Sequence, residues 1–434
     1  MRVIGRTPAK LRKLGNALTL TLGQTFECQR DQIALGESVL LDANEPHMLL
    51  ICGKRGFGKS YTMGVVVEGL LSLPRDVRRS LCLVIIDAMG VFWTIQQPSQ
   101  DPPSRYEGWE IEPRGFPVTV YYPQGLASKY TPYAQFFHRG FQLYPSELEL
   151  ADWLYLWEIG EGQAQAATLS QILKRVKATR GKFYSLHDMM DALEEMEEAE
   201  NIKSALDRKF EKAISWGIFS DQGQRVEDVF APGSCLIFDL SGAGELPWNV
   251  RTLLTALLCK KMYSKRALVR TNEEISKIYG TEISLAFPLI WLFIDEAHLF
   301  APTEKATPAT EPLLEWVRQG RRPGLSLVLA SQQPGALDRR ILSQCDTLVV
   351  HRLTAGQDSA AIGSRISEIY DAKSITEYMR ILPKEPGYAI VLNDLTEEIV
   401  PVRIRPRQSW DGGGSAKIED YVDVEPLIDL ADTV

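Results

Sequence analysis

Short runs of consecutive apolar residues punctuate this chain, at 47–52, 81–87, 118–122, 234–239, 289–294, 325–330, 347–350 and 388–392. Each reads as a strand buried on both faces, and helical stretches separate most of them. That pattern predicts an α/β fold with a mostly parallel sheet covered by helices. Several runs close on a polar or acidic residue: Asp87, Asp239, Asp295 and Ser331. Ligands of open α/β sheets bind outside the carboxyl ends of the strands, so these residues are expected to line one cleft.

Residues 145–220 break the pattern. They are poor in strands and rich in helix formers, with Leu154, Trp157, Leu169, Ile172, Leu173, Met189, Met190 and Leu193 at helical spacing. An all-helical insertion of three or four helices is expected, with these residues as its core. The acidic run at 194–200 reads as a solvated helix face or turn. Stretches containing Pro and Gly at 97–117, 301–312 and 408–415 read as loops, and the second could move with the state of a bound ligand. The expected organisation is a strand segment at 1–45, a core at 46–144 and 221–407, the insertion at 145–220 and an acidic tail at 408–434.

The most specific chemistry lies just after the first buried run. Gly53, Lys54, Arg55, Gly56, Phe57, Gly58, Lys59 and Ser60 form a complete G-x-x-x-x-G-K-S phosphate loop, and Tyr61 opens the apolar helical pattern that follows. Strand, glycine loop, helix is the context the motif needs. The glycines bring backbone N–H groups onto phosphate oxygens, and the helix adds the positive end of its dipole. Lys59 is expected at the β- and γ-phosphates of ATP, and the Ser60 hydroxyl on Mg²⁺.

A second buried run, at 289–294, ends in Asp295-Glu296-Ala297-His298. In phosphate-loop enzymes a carboxylate at a strand end holds Mg²⁺, and its neighbour can polarise the attacking water. Asp295 is therefore the expected metal-side acid and Glu296 the expected general base. His298 either couples this site to a neighbour or caps the loop.

Composition narrows the setting. The chain has 434 residues, 45% of them hydrophobic, enough for a large core. A net charge of −8 argues against coating nucleic acid through bulk charge, though not against a local basic stripe. Two such runs are Lys260, Lys261, Lys265, Arg266 and Arg270, and Lys174, Arg175, Lys177, Arg180 and Lys182. The six cysteines have no C-x-x-C spacing and read as reduced thiols of a cytoplasmic protein. No apolar run reaches membrane-spanning length.

Arg318-Gln-Gly-Arg-Arg-Pro-Gly-Leu-Ser-Leu-Val-Leu-Ala-Ser-Gln-Gln-Pro334 continues into Ile341-Leu-Ser-Gln-Cys-Asp-Thr347 and His351-Arg-Leu353. Together with the phosphate loop and the 294–298 segment, this block resembles the HerA branch of the HerA/FtsK P-loop ATPases over about residues 45–407. The resemblance implies a RecA-like core and a homo-oligomer, usually a hexamer, that translocates on or unwinds double-stranded DNA at the expense of ATP. It implies a polar sensor role for Gln332 and an arginine finger at Arg321, acting on a neighbouring subunit's nucleotide, with Arg318 and Arg322 as rivals. Asp87 with Gly90 is similar to a strand-end D-x-x-G near the nucleotide.

The chain departs from the family in three places. The phosphate loop starts at Gly53, so the family's N-terminal β-barrel is expected to be missing or reduced to strands such as 17–22. That weakens the case for a partner nuclease docked through a barrel. Ser331-Gln-Gln-Pro334 replaces the usual S-Q-R-P, and Phe57 fills a loop position usually occupied by a small residue. A DNA motor working with a nuclease or effector is one functional expectation. A non-translocating ring ATPase that scaffolds or gates an effector is the other.

Overall fold

The computed structural model describes residues 1–29, 32–241, 244–282, 287–369 and 375–414. Thirteen strands of one sheet carry the fold among those residues. In chain order they are β1 (Arg2–Ile4), β2 (Thr19–Gln29), β3 (Gln32–Asp42), β4 (Met48–Cys52), β5 (Leu81–Asp87), β6 (Thr119–Pro123) and β7 (Arg139–Phe141). Then follow β8 (Cys235–Asp239), β9 (Leu289–Ile294), β10 (Leu325–Ser331), β11 (Thr347–Val350), β12 (Tyr388–Asn393) and β13 (Glu398–Ile404). Their order across the sheet is β1-β3-β2-β13-β12-β11-β4-β10-β9-β5-β8-β6-β7.

From β11 to β7 every neighbouring pair is parallel. Strands β4, β5, β8 and β10 are buried at every position, as continuous apolar runs require. Burying each large aliphatic side chain contributes about 1.5–3 kcal/mol, so these strands contribute substantially to stability. The antiparallel strands β12, β13, β2 and β3 extend one side. Segment 1–45, expected as strands of a reduced barrel, instead prolongs this sheet. Strand β2 pairs with β13, and Gly23 admits the Arg403 carbonyl where a Cβ would lie 2.1 Å from it.

The helical region contains α-helices at Leu150–Leu156, Ala164–Arg180, Leu186–Glu194 and Glu200–Ser215. Trp153, Leu169, Met189 and Phe210 share one buried core with Leu254 and Leu292, so this region packs continuously with the sheet. The acidic-tail boundary at 408 also shifts. Gln408 and Ser409 are buried and donate their N–H groups to Glu68, each at 3.0 Å. Residues 415–434, which hold most of the expected tail, lie outside the described residues.

Glu68 sits fully buried on the helix α1 (Lys59–Leu71) that leaves the phosphate loop. Arg405 reaches it at 2.9 Å and Arg407 at 3.2 Å, and the Ser409 hydroxyl donates at 2.6 Å. Gly64 makes room for Arg407, since a Cβ there would lie 2.7 Å from the guanidinium carbon. The chain after β13 therefore grips the loop's own helix.

Candidate nucleotide site

The phosphate loop spans β4 and α1. Gly58 takes φ +103°, a left-handed conformation, as the residue before the helix. Lys54, Arg55 and Gly56 are exposed, and Phe57 is half-buried. Lys59 is buried and its ammonium donates to the Lys54 carbonyl at 3.2 Å. Burial lowers its pKa, while Glu296 and Asp295 favour the charged form. The Tyr61 hydroxyl accepts the Arg407 N–H at 2.6 Å, tying the start of the helix to the chain after β13.

Strand order brings the second motif alongside. Strand β10 lies between β4 and β9, and both pairs are parallel. The carboxyl ends of β4, β10, β9, β5 and β8 thus share one edge, which carries Ser331, Asp295, Asp87 and Asp239 as the strand patterns imply. Ser60 Oγ donates to Asp295 Oδ2 at 2.7 Å. Burial raises the Asp295 pKa, opposed by the Ser60 hydrogen bond.

Glu296 has φ 51° and ψ 46°, a left-handed conformation uncommon outside glycine. The turn aims its carboxylate back across the end of β10, where Gln332 Nε2 donates to Oε1. The other oxygen, Oε2, is buried without a hydrogen-bond partner among the described residues. His298 Nδ1 lies 3.6 Å from it and 3.1 Å from Ser331 Oγ. An orphaned carboxylate oxygen is costly to bury, so Oε2 has hydrogen-bonding capacity that no described side chain takes up.

These residues fit a nucleotide with Mg²⁺. Ser60 and Asp295 offer hard oxygen donors side by side at the mouth of the loop. Among the described residues no three His, Cys, Asp or Glu side chains converge on a metal. Mg²⁺ at phosphate sites is held by one or two protein oxygens plus phosphate and water, so two suffice.

Asp87 is one strand beyond Asp295 and farther from the loop. It accepts N–H groups from Met89, Gly90 and Phe92 at 3.2, 2.7 and 2.8 Å, which shapes the turn after β5. Burial, then the adjacent Asp239, pushes its pKa to about 7.

Arg321 does not join the site of its own chain. It precedes β10, while Gln332 follows it, and the seven residues of that strand span roughly 20 Å. Arg321 is 57% exposed and donates to Asp346 Oδ2 at 2.7 Å, at the amino edge of the sheet. Arg322, also exposed, pairs with Glu274 at 2.8 Å. The basic run at 260–270 changes character too. Arg266 is buried and donates to the Pro323 and Phe287 carbonyls, and Lys260 and Arg270 pair with Asp152 and Glu273.

His351 was part of a recognisable motif, but nothing in the sequence assigned it a place in the site. It lies fully buried against the phosphate loop, with Nε2 2.9 Å from Thr62 Oγ1 and Nδ1 2.9 Å from the Tyr388 carbonyl. A parallel sheet with a phosphate loop, a strand-end Asp-Glu pair and a polar residue on the intervening strand defines a RecA-like P-loop protein. The model of the HerA helicase central domain matches residues 35–262, and the chain belongs to that family.

Relatives match over shorter stretches. A probable helicase of Methanocaldococcus jannaschii is 31% identical over 116 residues, 26% of this chain and 20% of that protein. The DNA double-strand break repair helicase HerA of Pyrococcus furiosus is 31% identical over 106 residues, 23% and 19% of the two chains. The matched stretch thus spans about a fifth of each of these curated relatives. VirB4 of Thermoanaerobacter pseudethanolicus superposes with a TM-score of 0.54 at 13% identity, covering 93% of this chain and 98% of that one. The bacterial conjugative coupling protein TrwB gives 0.54 at 14%, covering 94% and 93%. These likenesses speak for the fold. No described helix is long and apolar enough to cross a membrane.

Proposed function

We propose that this protein hydrolyses ATP with Mg²⁺ and uses the energy as a ring-forming motor, a hexamer, on double-stranded DNA in the cytoplasm. The carrying observation is the convergence of Ser60 with Asp295 and of Gln332 with Glu296 on one sheet edge. Lys59 would leave its resting bond to the Lys54 carbonyl and neutralise the β- and γ-phosphates. Ser60 and Asp295 would hold Mg²⁺, which when bound supplies charge neutralisation between the phosphates. Glu296 would orient a water and accept its proton, and Gln332 would hold Glu296 in place and report the γ-phosphate. The backbone of Gly53–Ser60 would cradle the phosphate chain. Arg321, some 20 Å from its own loop by strand length, would serve the nucleotide of the next subunit.

A nuclease or effector partner belongs to the same proposal. One observation favours the second reading, a non-translocating ring ATPase that gates an effector: the 260–270 run is largely tied up by acids, leaving Lys265 with Lys174, Lys177 and Lys182 as exposed candidates for DNA. Light scattering with ATP and duplex DNA, followed by displacement of a protein roadblock from that duplex, tests both. ATP-dependent rings that clear the roadblock support the motor. Rings that hydrolyse ATP without moving support the gate, and a monomer without ATP hydrolysis defeats both.

A further inference from the structure

We infer that His351, as the neutral Nδ1–H tautomer, is the positioning residue that sets the geometry of the phosphate loop. The inference rests on the nucleotide-site reading above. A carbonyl only accepts hydrogen bonds, so the 2.9 Å contact between Nδ1 and the Tyr388 carbonyl places the proton on Nδ1. Nε2 is then an acceptor, and the Thr62 hydroxyl donates to it at 2.9 Å. Burial, reinforced by the Lys59 charge, pushes the ring's pKa down to about 4, which keeps it uncharged.

The ring adds a polar link between three elements, the loop's helix, the end of β11 and β12, whose apolar side chains already share one core. Its Cβ lies so close to the loop that a Cβ on Gly53 would come within 2.5 Å of it, and one on Gly58 within 3.6 Å of its Cε1. The His351 N–H donates to the Cys52 carbonyl at 2.7 Å, and the Lys54 N–H donates to the Arg352 carbonyl at 2.8 Å. Thr62 stands two residues after Ser60 in the first turn of α1. The chain Tyr388 carbonyl, His351, Thr62 therefore fixes how that turn is rotated relative to β11 and β12. The same rotation decides where the Lys59 ammonium and the Ser60 hydroxyl point. A phenylalanine would fill this space equally well, yet it could not transmit position from the β12 backbone to the helix.

The test is binding of a fluorescent ADP analogue and steady-state ATP hydrolysis by the full chain. Thr62→Val keeps the shape and removes the hydroxyl. His351→Phe keeps the volume and removes both bonds, and His351→Gln offers an amide oxygen to Thr62. Loss of one such hydrogen bond corresponds to about a tenfold effect. Thr62→Val and His351→Phe should each weaken nucleotide binding by about that factor. KM should rise more than kcat falls, and the double variant should lose no more than His351→Phe alone. His351→Gln should recover most of the affinity. Wild-type affinity in Thr62→Val, or losses that add in the double variant, would overturn the assignment. If His351→Phe fails to fold, Thr62→Val and His351→Gln decide it. A wild-type chain that does not bind the analogue, or a Lys59→Ala chain that binds it as well as wild type, defeats the nucleotide site itself. That result is separate from a functional site in which Thr62→Val is silent.

Discussion

Ser60 Oγ donates to Asp295 Oδ2 at 2.7 Å, joining residues 235 positions apart in the chain. The contact forms because β4 and β9 flank β10 in one parallel sheet, so the residues after their carboxyl ends face each other. It links the phosphate loop directly to the strand-end acids.

Lys59→Ala should strongly weaken nucleotide binding and abolish ATP hydrolysis. Its ammonium is the buried cation of the loop, and no other side chain there replaces it at the phosphates. Calorimetry with ATP and Mg²⁺ measures the first effect and phosphate release the second. Near-wild-type turnover would overturn the placement of the site.

Glu296→Gln should slow hydrolysis by roughly 10²-fold or more while nucleotide still binds. The amide preserves size and contact with Gln332 but cannot take a proton from water. Single-turnover kinetics beside equilibrium binding separates the two effects. Equal losses in both would argue that Glu296 shapes the pocket only.

Arg321→Ala should leave folding and nucleotide binding intact and remove hydrolysis by on the order of 10³-fold, the scale of an arginine finger. Mixing it with Lys59→Ala chains should restore part of the activity, because some interfaces then combine an intact loop with an intact arginine. Absence of complementation in demonstrably mixed rings would rule out action between subunits. Its bond to Asp346 places Arg321 at the amino edge of the sheet, away from the phosphate loop of its own chain.

Glu68→Ala should destabilise the fold by about 3–5 kcal/mol, because Arg405 and Arg407 would remain buried without their shared carboxylate. Urea unfolding followed by tryptophan fluorescence reads this directly. Glu68→Gln should cost less, since the amide oxygen still accepts from Ser409.

Stability should fall at alkaline pH through His47. Burial disfavours the charged ring, but Asp346 and Asp42 beside it raise its pKa from 6.5 to about 9. A folded pKa above the unfolded one means that the stabilisation is complete below about pH 6.5. It is lost as pH rises through about 9. The urea midpoint should drop over that window, and His47→Gln should flatten the profile. An unchanged slope in His47→Gln would show that other groups carry it.

Much of this protein could be read from local pattern. Apart from the short edge strand β7, the apolar runs located the strands of the parallel core to within a residue or two, because a strand buried on both faces must be continuously apolar. The phosphate loop and the Asp-Glu pair stood out because each is a contiguous motif at the end of an apolar run, whereas Gln332 was singled out through the family resemblance. Spacing led to an expectation of three or four helices in this region, where the structure has α-helices at Leu150–Leu156, Ala164–Arg180, Leu186–Glu194 and Glu200–Ser215.

What the tertiary structure decided are relationships between distant segments. No window of sequence shows that Thr62 meets His351, that Glu68 is held by Arg405 and Arg407, or that Arg266 is a buried brace. Strand order is equally invisible, yet it puts Ser60 beside Asp295 and leaves Arg321 at the opposite edge. The hairpin of β2 and β3 joins the main sheet because β13 offers it an edge, and that edge exists only once the chain has folded back. Periodicity reports which face of an element is buried. Which partner buries it depends on long-range packing, where a buried charge or backbone group is tolerated only where the fold delivers its complement.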